Sequence, residues 1–587
     1  MFRRRYQAAL SLFPNVAFRP AIALRGALKE GYGRKSFVQD LTAGVVVGVV
    51  ALPLAMALAI NSGVPPQHGI YTAIVAGAVT ALLGGSRTNV TGPTAAFIVI
   101  LAPISSQYGV GGLMVATVMA GLILFLMGLV RLGRLIEFIP HTVTTGFTAG
   151  IAVVIATTQI DKVFGLEGKF RDHWLDRVTD LIAAAPTVKW QDFGVAVVTF
   201  GLLLVWARLK TRVPAPVVAL TVGTLAGLLC SALGAPVSTL ATKFNGIPAL
   251  PPLPVLPWHQ AGPGGQPLAL SFEMLSALAP KAIAIAMLGA IESLLCAVIA
   301  DGMAGTKHDP DAELMAQGVG NIVAPFFGGI AATGAIARTA TNVRSGGRTP
   351  VAAIAHAVFV LVAVLALAPL LGHVPMASMA ALLLLVAWNM SEVRHFGHIL
   401  KVAPRSDVLV LVICFGLTVL FDMVLSVSVG VLLAALLFMR RMAELSGTKL
   451  VADVHHEHGP LPKDVLFYEV DGPLFFGAAH KAMEALTAVN QTVRAVVLDL
   501  EGVPAMDVSG LVAFESAIER LHELGAYVIV AGVQPQPRGV LEKSALLRPP
   551  RTVLVQSVDE ALKLARERSQ EPEPVARPPA AAAVTPP

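Results

Sequence analysis

Around Gly85 the chain reads GGSRTNVTGPTAAF (84–97), and around Gly329 it reads GGIAATGAIARTAT (328–341). Each stretch has a Gly pair, a short linker of small residues, a Thr-Gly step and then the start of a short helix pattern. Both lie between long apolar segments. Backbone that is neither helix nor closed sheet is tolerated at membrane depth only where protein or a water-filled cavity covers it. Paired short segments, interrupted by Gly or Pro at matching places in two halves of a chain, are the sequence pointer to a transport site.

The rest of the composition places that pair in a bilayer. Of 587 residues, 55% are hydrophobic and 14% charged, and the mean hydropathy is +0.72. A soluble domain carries about 25% charged residues, so the bilayer is the expected solvent for much of this chain. The 53 glycines and 40 prolines suit close-packed and broken membrane helices. Apolar spans are expected at 41–60, 68–84, 93–107, 111–130, 140–158, 193–208, 214–233, 280–300, 315–329, 334–346, 351–371, 375–390, 406–421 and 423–439. The spans starting near Pro93 and Gly334 fall well short of the ~20 residues of a full crossing. Seven spans per half is odd, so the second half is expected to be inverted relative to the first. The fold expected is therefore an α-helical polytopic membrane protein of 14 spans.

Loop charge gives the orientation. Arg87, Arg131, Arg134, Arg208, Lys307, Arg344, Arg348, Arg394 and Arg440 fall on the N-terminal side, which the positive-inside rule makes cytoplasmic. The 159–192 loop breaks the pattern, with Lys162, Lys169, Arg171, Arg177 and Lys189 on the outer side. The net charge of +6 is thus a topology signal; no basic stripe interleaved with aromatics points to nucleic acid. No cleavable signal peptide is read before the first span. Cys230 and Cys414 read as small buried side chains without metal-ligand spacing.

After Arg441 the pattern changes. A strand pair or long strand is expected at 464–476 (DVLFYEVDGPLFF), and short buried strands at 494–500 and 526–532. Helical patterns at 478–489, 509–523 and 558–568 alternate with them, which describes a small α/β domain. The expected organisation is a leader at 1–40, a membrane domain at 41–442, a linker at 443–463, an α/β domain at 464–570 and a disordered Pro/Ala-rich tail at 571–587.

Arg338, at bilayer depth in the second short segment, is a functional candidate by default. A half-helix beginning near Gly334 points free N–H groups and its positive dipole end at the midplane, where an anion binds. Arg338 one turn in adds charge and bidentate donors; the alternatives are snorkelling to the interface or pairing with an acid. The facing half-helix is expected to start at Gly92-Pro93-Thr94 and to offer the N–H groups of Ala95, Ala96 and Phe97. Glu292 lies mid-span in MLGAIESLLCAV. It would carry a proton, bind sodium with Ser293, or pair with Arg338; Cys296, one turn on, would face the same site. Pro53 is expected to break the first span or, alternatively, only to kink it, and Asp422 reads as a turn residue. Ser509 (MDVSGLVAFESA) sits at a strand-to-helix turn, where it would cap the helix or accept phosphate. GxxxxGK[ST], HExxH and Ser/His/Asp patterns are missing, so ATP-driven pumping, hydrolysis and cofactors are not expected, and neither is enzymatic activity.

ALPLAMALAINSGVPPQHGIYTA (51–73), GGSRTNVTGPTAAF, AMLGAIESLLCAVIADGMAGTKHDPDAELMAQGVGNIVAPFFGGI (286–330) and TGAIARTATNVRSGG (333–347) together resemble the SulP family of anion transporters, whose membrane domain precedes a STAS domain. The last two segments resemble the bacterial C4-dicarboxylate carriers of that family. The resemblance implies a 7+7 inverted repeat with core and gate subdomains, a cytoplasmic STAS domain and a homodimer in the bacterial inner membrane. It implies substrate between Thr94, Ala95, Ala96, Phe97 and Ala335, Ile336, Ala337, Arg338, Thr339, with Glu292 at the coupling position. Where many members read Pro-Gln-x-Met-Ala-Tyr, this chain has Pro53-Leu54-Ala55-Met56-Ala57-Leu58. That departure favours a larger carbon-backbone anion (succinate, fumarate, malate or aspartate) entering by symport with a proton. The rivals are a sulfate or sodium-coupled bicarbonate carrier, an anion channel, and a signalling module whose STAS domain recruits a cytoplasmic protein partner. The Asp507–Gly510 loop resembles the phosphoacceptor loop of anti-sigma factor antagonists, with Ser509 at the acceptor position.

Overall fold

The computed structural model describes residues 20–134, 140–171, 173–209, 213–262, 265–268, 270–421, 423–451, 461–488, 492–544 and 551–570. Residues 1–19 of the leader, Asp422, the middle of the linker and the tail at 571–587 lie outside the described residues. The chain divides into two compact units, Met1–Val431 and Leu432–Pro587.

The first unit is helical. Its elements are α1 (Ile22–Lys29), α2 (Arg34–Asn61), α3 (Pro66–Leu83), β1 (Thr91–Gly92), α4 (Ile98–Leu129), α5 (His141–Val163), α6 (Trp174–Ala184), α7 (Trp190–Arg208), α8 (Ala215–Ala232), α9 (Leu240–Phe244), α10 (Phe272–Ala304), α11 (Pro310–Val323), β2 (Thr333–Gly334), α12 (Ile336–Arg344), α13 (Pro350–Leu371), α14 (Met376–Ser391), α15 (Val393–Val402) and α16 (Arg405–Leu420), with α17 (Met423–Leu445) running on to the second unit. Among the described residues eight helices are long and apolar enough to cross a membrane, or nine if the bent pair at 174–206 forms one span. Other segments of the expected fourteen are shorter or less apolar, such as the nine-residue α12.

Two expectations are corrected here. Pro53 does not break the first span: α2 runs through it from Arg34 to Asn61. One proline removes a single helical hydrogen bond, and neighbouring helices make that tolerable in a membrane. Gly44 shows how closely α13 packs on α2, since a Cβ there would lie 2.5 Å from the Ala352 carbonyl. The first short segment also differs. The spans expected at 93–107 and 111–130 are two arms of α4, which starts at Ile98 and turns at Gly109, where φ is 69° and glycine is the residue that adopts it without strain.

Helices α2, α3, α4, α10, α11, α12 and α13 pack on one another as one bundle, and α5, α7, α8, α14 and α16 form a second. A polar link between the bundles converges on Asn61, whose Oδ1 accepts from Gln159 Nε2 (2.9 Å) and Lys162 Nζ (2.6 Å) on α5. The basic residues of the 159–192 loop are largely neutralised in place. Arg171 pairs with Asp176 and Asp180, Arg177 with Asp161, and Lys189 with Glu167. The Arg171 side chain and backbone N–H hold the Asp180 carboxyl down at about 2.

The second unit continues with β3 (Gly447–Leu450), β4 (Val465–Asp471), α18 (Phe476–Glu484), β5 (Ala495–Asp499), α19 (Val508–Glu523), β6 (Tyr527–Ala531), α20 (Pro535–Leu541), β7 (Thr552–Leu554) and α21 (Val558–Gln570). The strands form one sheet in the order β3-β4-β5-β6-β7, with β3 antiparallel to β4 and the other pairs parallel. Leu474, Leu498, Phe514 and Leu521 fill the core on one face of the sheet; Phe467, Val497, Ile529 and Leu562 fill the other. A strand covered on both faces reads as a continuous apolar run, and AVVLD of β5 is buried at all five positions. The stretch 464–476 is one strand, β4, followed by the start of α18.

Candidate anion site

The two Thr-Gly steps of the sequence repeat meet. β1 and β2 pair antiparallel, Thr91 opposite Gly334 and Gly92 opposite Thr333. Both glycines are required by what lies against them. A Cβ on Gly92 would collide with Arg338 Nη1, and one on Gly334 would sit 2.9 Å from the Asn89 amide.

The strand pair brings the two helix starts together. Residues Ala95–Phe97 form a turn into α4, with Ile98 N–H bonding the Ala95 carbonyl at 3.1 Å. Among the described residues the N–H groups of Ala95, Ala96 and Phe97 have no acceptor, and neither have those of Ile336, Ala337 and Arg338. The Ala335 N–H is not available: it donates to the Val90 carbonyl at 2.9 Å. Thr339 is also engaged, its Oγ1 accepting from Val90 N–H (2.9 Å) and bonding Asn89 Oδ1 (3.2 Å). Ala335 and Thr339 therefore build the seam, while Ile336, 40% exposed, and the exposed Ala337 lie at its open side.

Arg338 neither snorkels nor pairs with an acid. It is 1% exposed, Nη2 donates to the Pro93 carbonyl at 3.2 Å, and Nε and Nη1 have no partner among the described residues. Its guanidinium lies against Gly92, behind the strand pair. A buried cation without a counter-charge is costly, and here it places positive potential beside two sets of unused N–H groups.

Glu292 is partly buried and accepts from Thr94 Oγ1 at 2.8 Å; this, and not Arg338, is its side-chain partner. Ser293 and Cys296 do not converge with it. Ser293 Oγ bonds Thr333 Oγ1 (2.7 Å) and accepts from Gly334 N–H (3.1 Å). Cys296 Sγ contacts Asn89 Oδ1 (3.1 Å) and Thr339 Oγ1 (3.2 Å). Both support the strand pair. Among the described residues no group of acids, histidines and cysteines is arranged to hold a metal ion.

Residues 37–414 match the sulfate permease family, and residues 460–561 match the STAS domain. The chain belongs to the sulfate permease family. It is similar to a putative sulfate transporter of Bacillus subtilis (strain 168), 38% identical over 525 residues that cover 88% of this chain and 95% of the relative. It is also similar to a bicarbonate transporter of Synechocystis sp., 29% identical over 536 residues covering 87% and 90%. The fold matches that of the murine Solute Carrier 26 family member A9 anion transporter in the inward-facing state, with a TM-score of 0.80 at 17% identity, covering 95% and 94% of the two chains. The protein is thus a multi-pass helical anion transporter of the sulfate permease family, with a STAS domain after the membrane region. The names of these relatives speak of sulfate and bicarbonate, not of C4-dicarboxylates.

Sequence reasoning missed the polar support of the site. Glu313, Gln317 and Asn321 recur at four-residue spacing on one face of α11, and all three are buried. That stripe was legible as an i, i+4, i+8 pattern. His356 on α13 was also missed; it is fully buried, and neither ring nitrogen has a partner among the described residues. In the STAS domain Ser509 is the exposed second residue of α19. The capping role belongs to Asp507, whose Oδ1 accepts from Gly510 N–H at 2.7 Å.

Proposed function

We propose that this member of the sulfate permease family is a secondary active carrier of a small oxyanion, sulfate or bicarbonate, that binds between the N–H groups of Ala95–Phe97 and Ile336–Arg338. The observation that carries the reading is the buried, acid-free Arg338 beside two helix starts with unused N–H groups. Two donor sets and one buried cation complement an anion. Thr94 joins this site to Glu292, so a proton on Glu292 is exchanged next to the bound anion; that contact supports proton symport. Ser293 and Cys296 have their polar groups committed to the strand pair, which disfavours them as sodium ligands. Of Leu54 and Leu58, read together from the sequence as markers of a carbon-backbone substrate, Leu58 is 2% exposed within α2 and packs in the interior, while Leu54 is half-buried. Dicarboxylate uptake thus loses part of its support and becomes the second reading.

The two bundles correspond in this reading to core and gate. The membrane domain at 41–442 and the STAS domain at 464–570 work in a homodimer in a bacterial inner membrane, with both termini cytoplasmic. The exposed Ser509 offers a place for a cytoplasmic partner or kinase. The test is uptake of radiolabelled sulfate, bicarbonate and succinate into proteoliposomes under an inward proton gradient without sodium. Accumulation of sulfate or bicarbonate that succinate does not block supports the proposal. Accumulation of succinate alone shifts it to dicarboxylates, and currents without uphill accumulation would replace the carrier by a channel.

A further inference from the structure

Glu313 is 2% exposed and has no cationic partner among the described residues. Its carboxylate is nevertheless saturated. Oε2 accepts from the backbone N–H groups of Gly85 (3.0 Å) and Ser86 (3.1 Å). Oε1 accepts from Asn89 Nδ2 (2.7 Å) and Gln317 Nε2 (3.3 Å). Only an ionised carboxylate accepts at all four places, because protonation or amidation converts one acceptor into a donor. Gly84 and Gly85 allow the approach: a Cβ on Gly84 would sit 2.9 Å from Glu313 Oε2, and one on Gly85 would collide with the Asp309 carbonyl.

The chain of bonds does not stop at Glu313. Asn89, turned by Glu313, presents Oδ1 to Thr339 Oγ1 (3.2 Å) and to Cys296 Sγ (3.1 Å). Thr339 in turn accepts from Val90 N–H. On the other side Gln317 Nε2 donates to Thr91 Oγ1 (2.7 Å), and Asn321 closes both polar groups of Ala332, its Nδ2 donating to the carbonyl (2.9 Å) and its Oδ1 accepting the N–H (2.8 Å). One buried face of α11 therefore holds the extended segments before both half-helices, and its polarity is set by the charge on Glu313.

We infer that Glu313, acting through Asn89, is a positioning residue that fixes the spacing of the two half-helix starts and so sets anion affinity. The inference rests on the anion site proposed above. In Glu313→Gln the amide oxygen takes the Gly85 and Ser86 N–H groups, and the amide nitrogen then faces the donor Asn89 Nδ2. Turning the Asn89 amide over to relieve that clash leaves the Thr339 hydroxyl proton without an acceptor. Asn89→Asp sets two carboxylates against each other. The double variant Glu313→Gln/Asn89→Asp restores the polarity of the contact between positions 313 and 89: the amide nitrogen introduced at position 313 donates to one carboxylate oxygen at position 89, and the other oxygen accepts from Thr339 and Cys296; only the long Gln317 bond to position 313 (3.3 Å) is given up, while Gln317 Nε2 keeps Thr91 Oγ1 at 2.7 Å.

The experiment measures KM and kcat for radiolabelled sulfate and bicarbonate in proteoliposomes of the full chain, with thermal melting of each purified variant. Expected is a KM raised at least tenfold in each single variant with kcat reduced less than threefold, and a return to within threefold of wild-type KM in the double variant. Single variants with KM within twofold of an active wild type would overturn the role of Glu313. A double variant that recovers thermal stability while KM stays high would also overturn it, since that assigns Glu313 to the fold alone. A wild type that moves neither anion would instead overturn the site reading beneath it. Should Glu313→Gln fail to fold, Asn89→Asp and the double variant alone decide the matter by the same KM comparison.

Discussion

The arm from Thr91 to Phe97 reaches its helix through Pro93 and a turn and carries no charge, whereas the arm from Thr333 to Thr339 enters α12 almost at once and carries Arg338. The two share a backbone plan, a Thr-Gly strand followed by a helix start with unused N–H groups. They divide the chemistry. The second arm supplies the positive charge, and the first supplies the place where that charge rests, since Arg338 lies against Gly92 and bonds the Pro93 carbonyl. The first arm also supplies the link to Glu292 through Thr94. The two arms thus share a backbone plan without being chemically equivalent: each offers a helix start, and one of them the cation.

The largest effect that would break this division is expected at Arg338. Arg338→Ala should lower gradient-driven anion uptake at least 100-fold while size-exclusion chromatography shows folded protein. Because the guanidinium is buried without a counter-charge, Arg338→Met should raise the melting temperature even as transport is lost. Retained uptake in either variant would mean that the charge asymmetry between the arms has no function.

Next in size is Glu292→Gln. It should abolish the response of uptake to an inward proton gradient and leave anion exchange at equal pH on both sides within about threefold of wild type. A gradient response that survives would remove Glu292 from coupling. The glycines sharpen the comparison further. Gly92→Ala should cost more uptake than Gly334→Ala, on the order of tenfold, because its methyl group meets the buried guanidinium while that of Gly334 meets an amide at 2.9 Å. Equal losses would place the arms on the same footing.

The smallest effects lie in the STAS domain. Asp507→Ala should destabilise it by about 1 kcal/mol, the usual worth of an N-cap. Ser509→Ala, at an exposed position without a capping bond, should stay within about 0.5 kcal/mol. Hydrogen exchange of the α19 amides in the full chain reads both.

Much of this was legible in the sequence. The Thr-Gly repeat identified the two segments that pair, because Gly and Thr are the residues a crossed, unwound pair needs. Arg338 and Glu292 stood out as charges in apolar runs, and strand β5 stood out by the apolar run AVVL before Asp499. The failures have physical reasons. Pro53 looked like a breaker, yet helix continuity there is decided by neighbours that sequence does not show. Pro93 looked like a helix start, yet the chain needs Ala95–Phe97 as a turn before α4 begins at Ile98. Ala335 looked like a free donor until its N–H proved to bond Val90. Ser293 and Cys296 were grouped with Glu292 by helical spacing, but their hydrogen bonds run to the strand pair. Glu313 and Gln317 left a trace as a polar stripe at four-residue spacing, but their role and that of Asn89 were not legible, because a buried carboxylate held by backbone N–H groups has no charged partner in the sequence to announce it.

The most direct test of the central claim is anomalous scattering from selenate, a heavy analogue of sulfate, soaked into crystals of the full chain. The account places the selenium peak between the N–H groups of Ala95–Phe97 and Ile336–Arg338, and loses the peak in Arg338→Ala. A peak elsewhere in the membrane unit, or one that persists without Arg338, would contradict it.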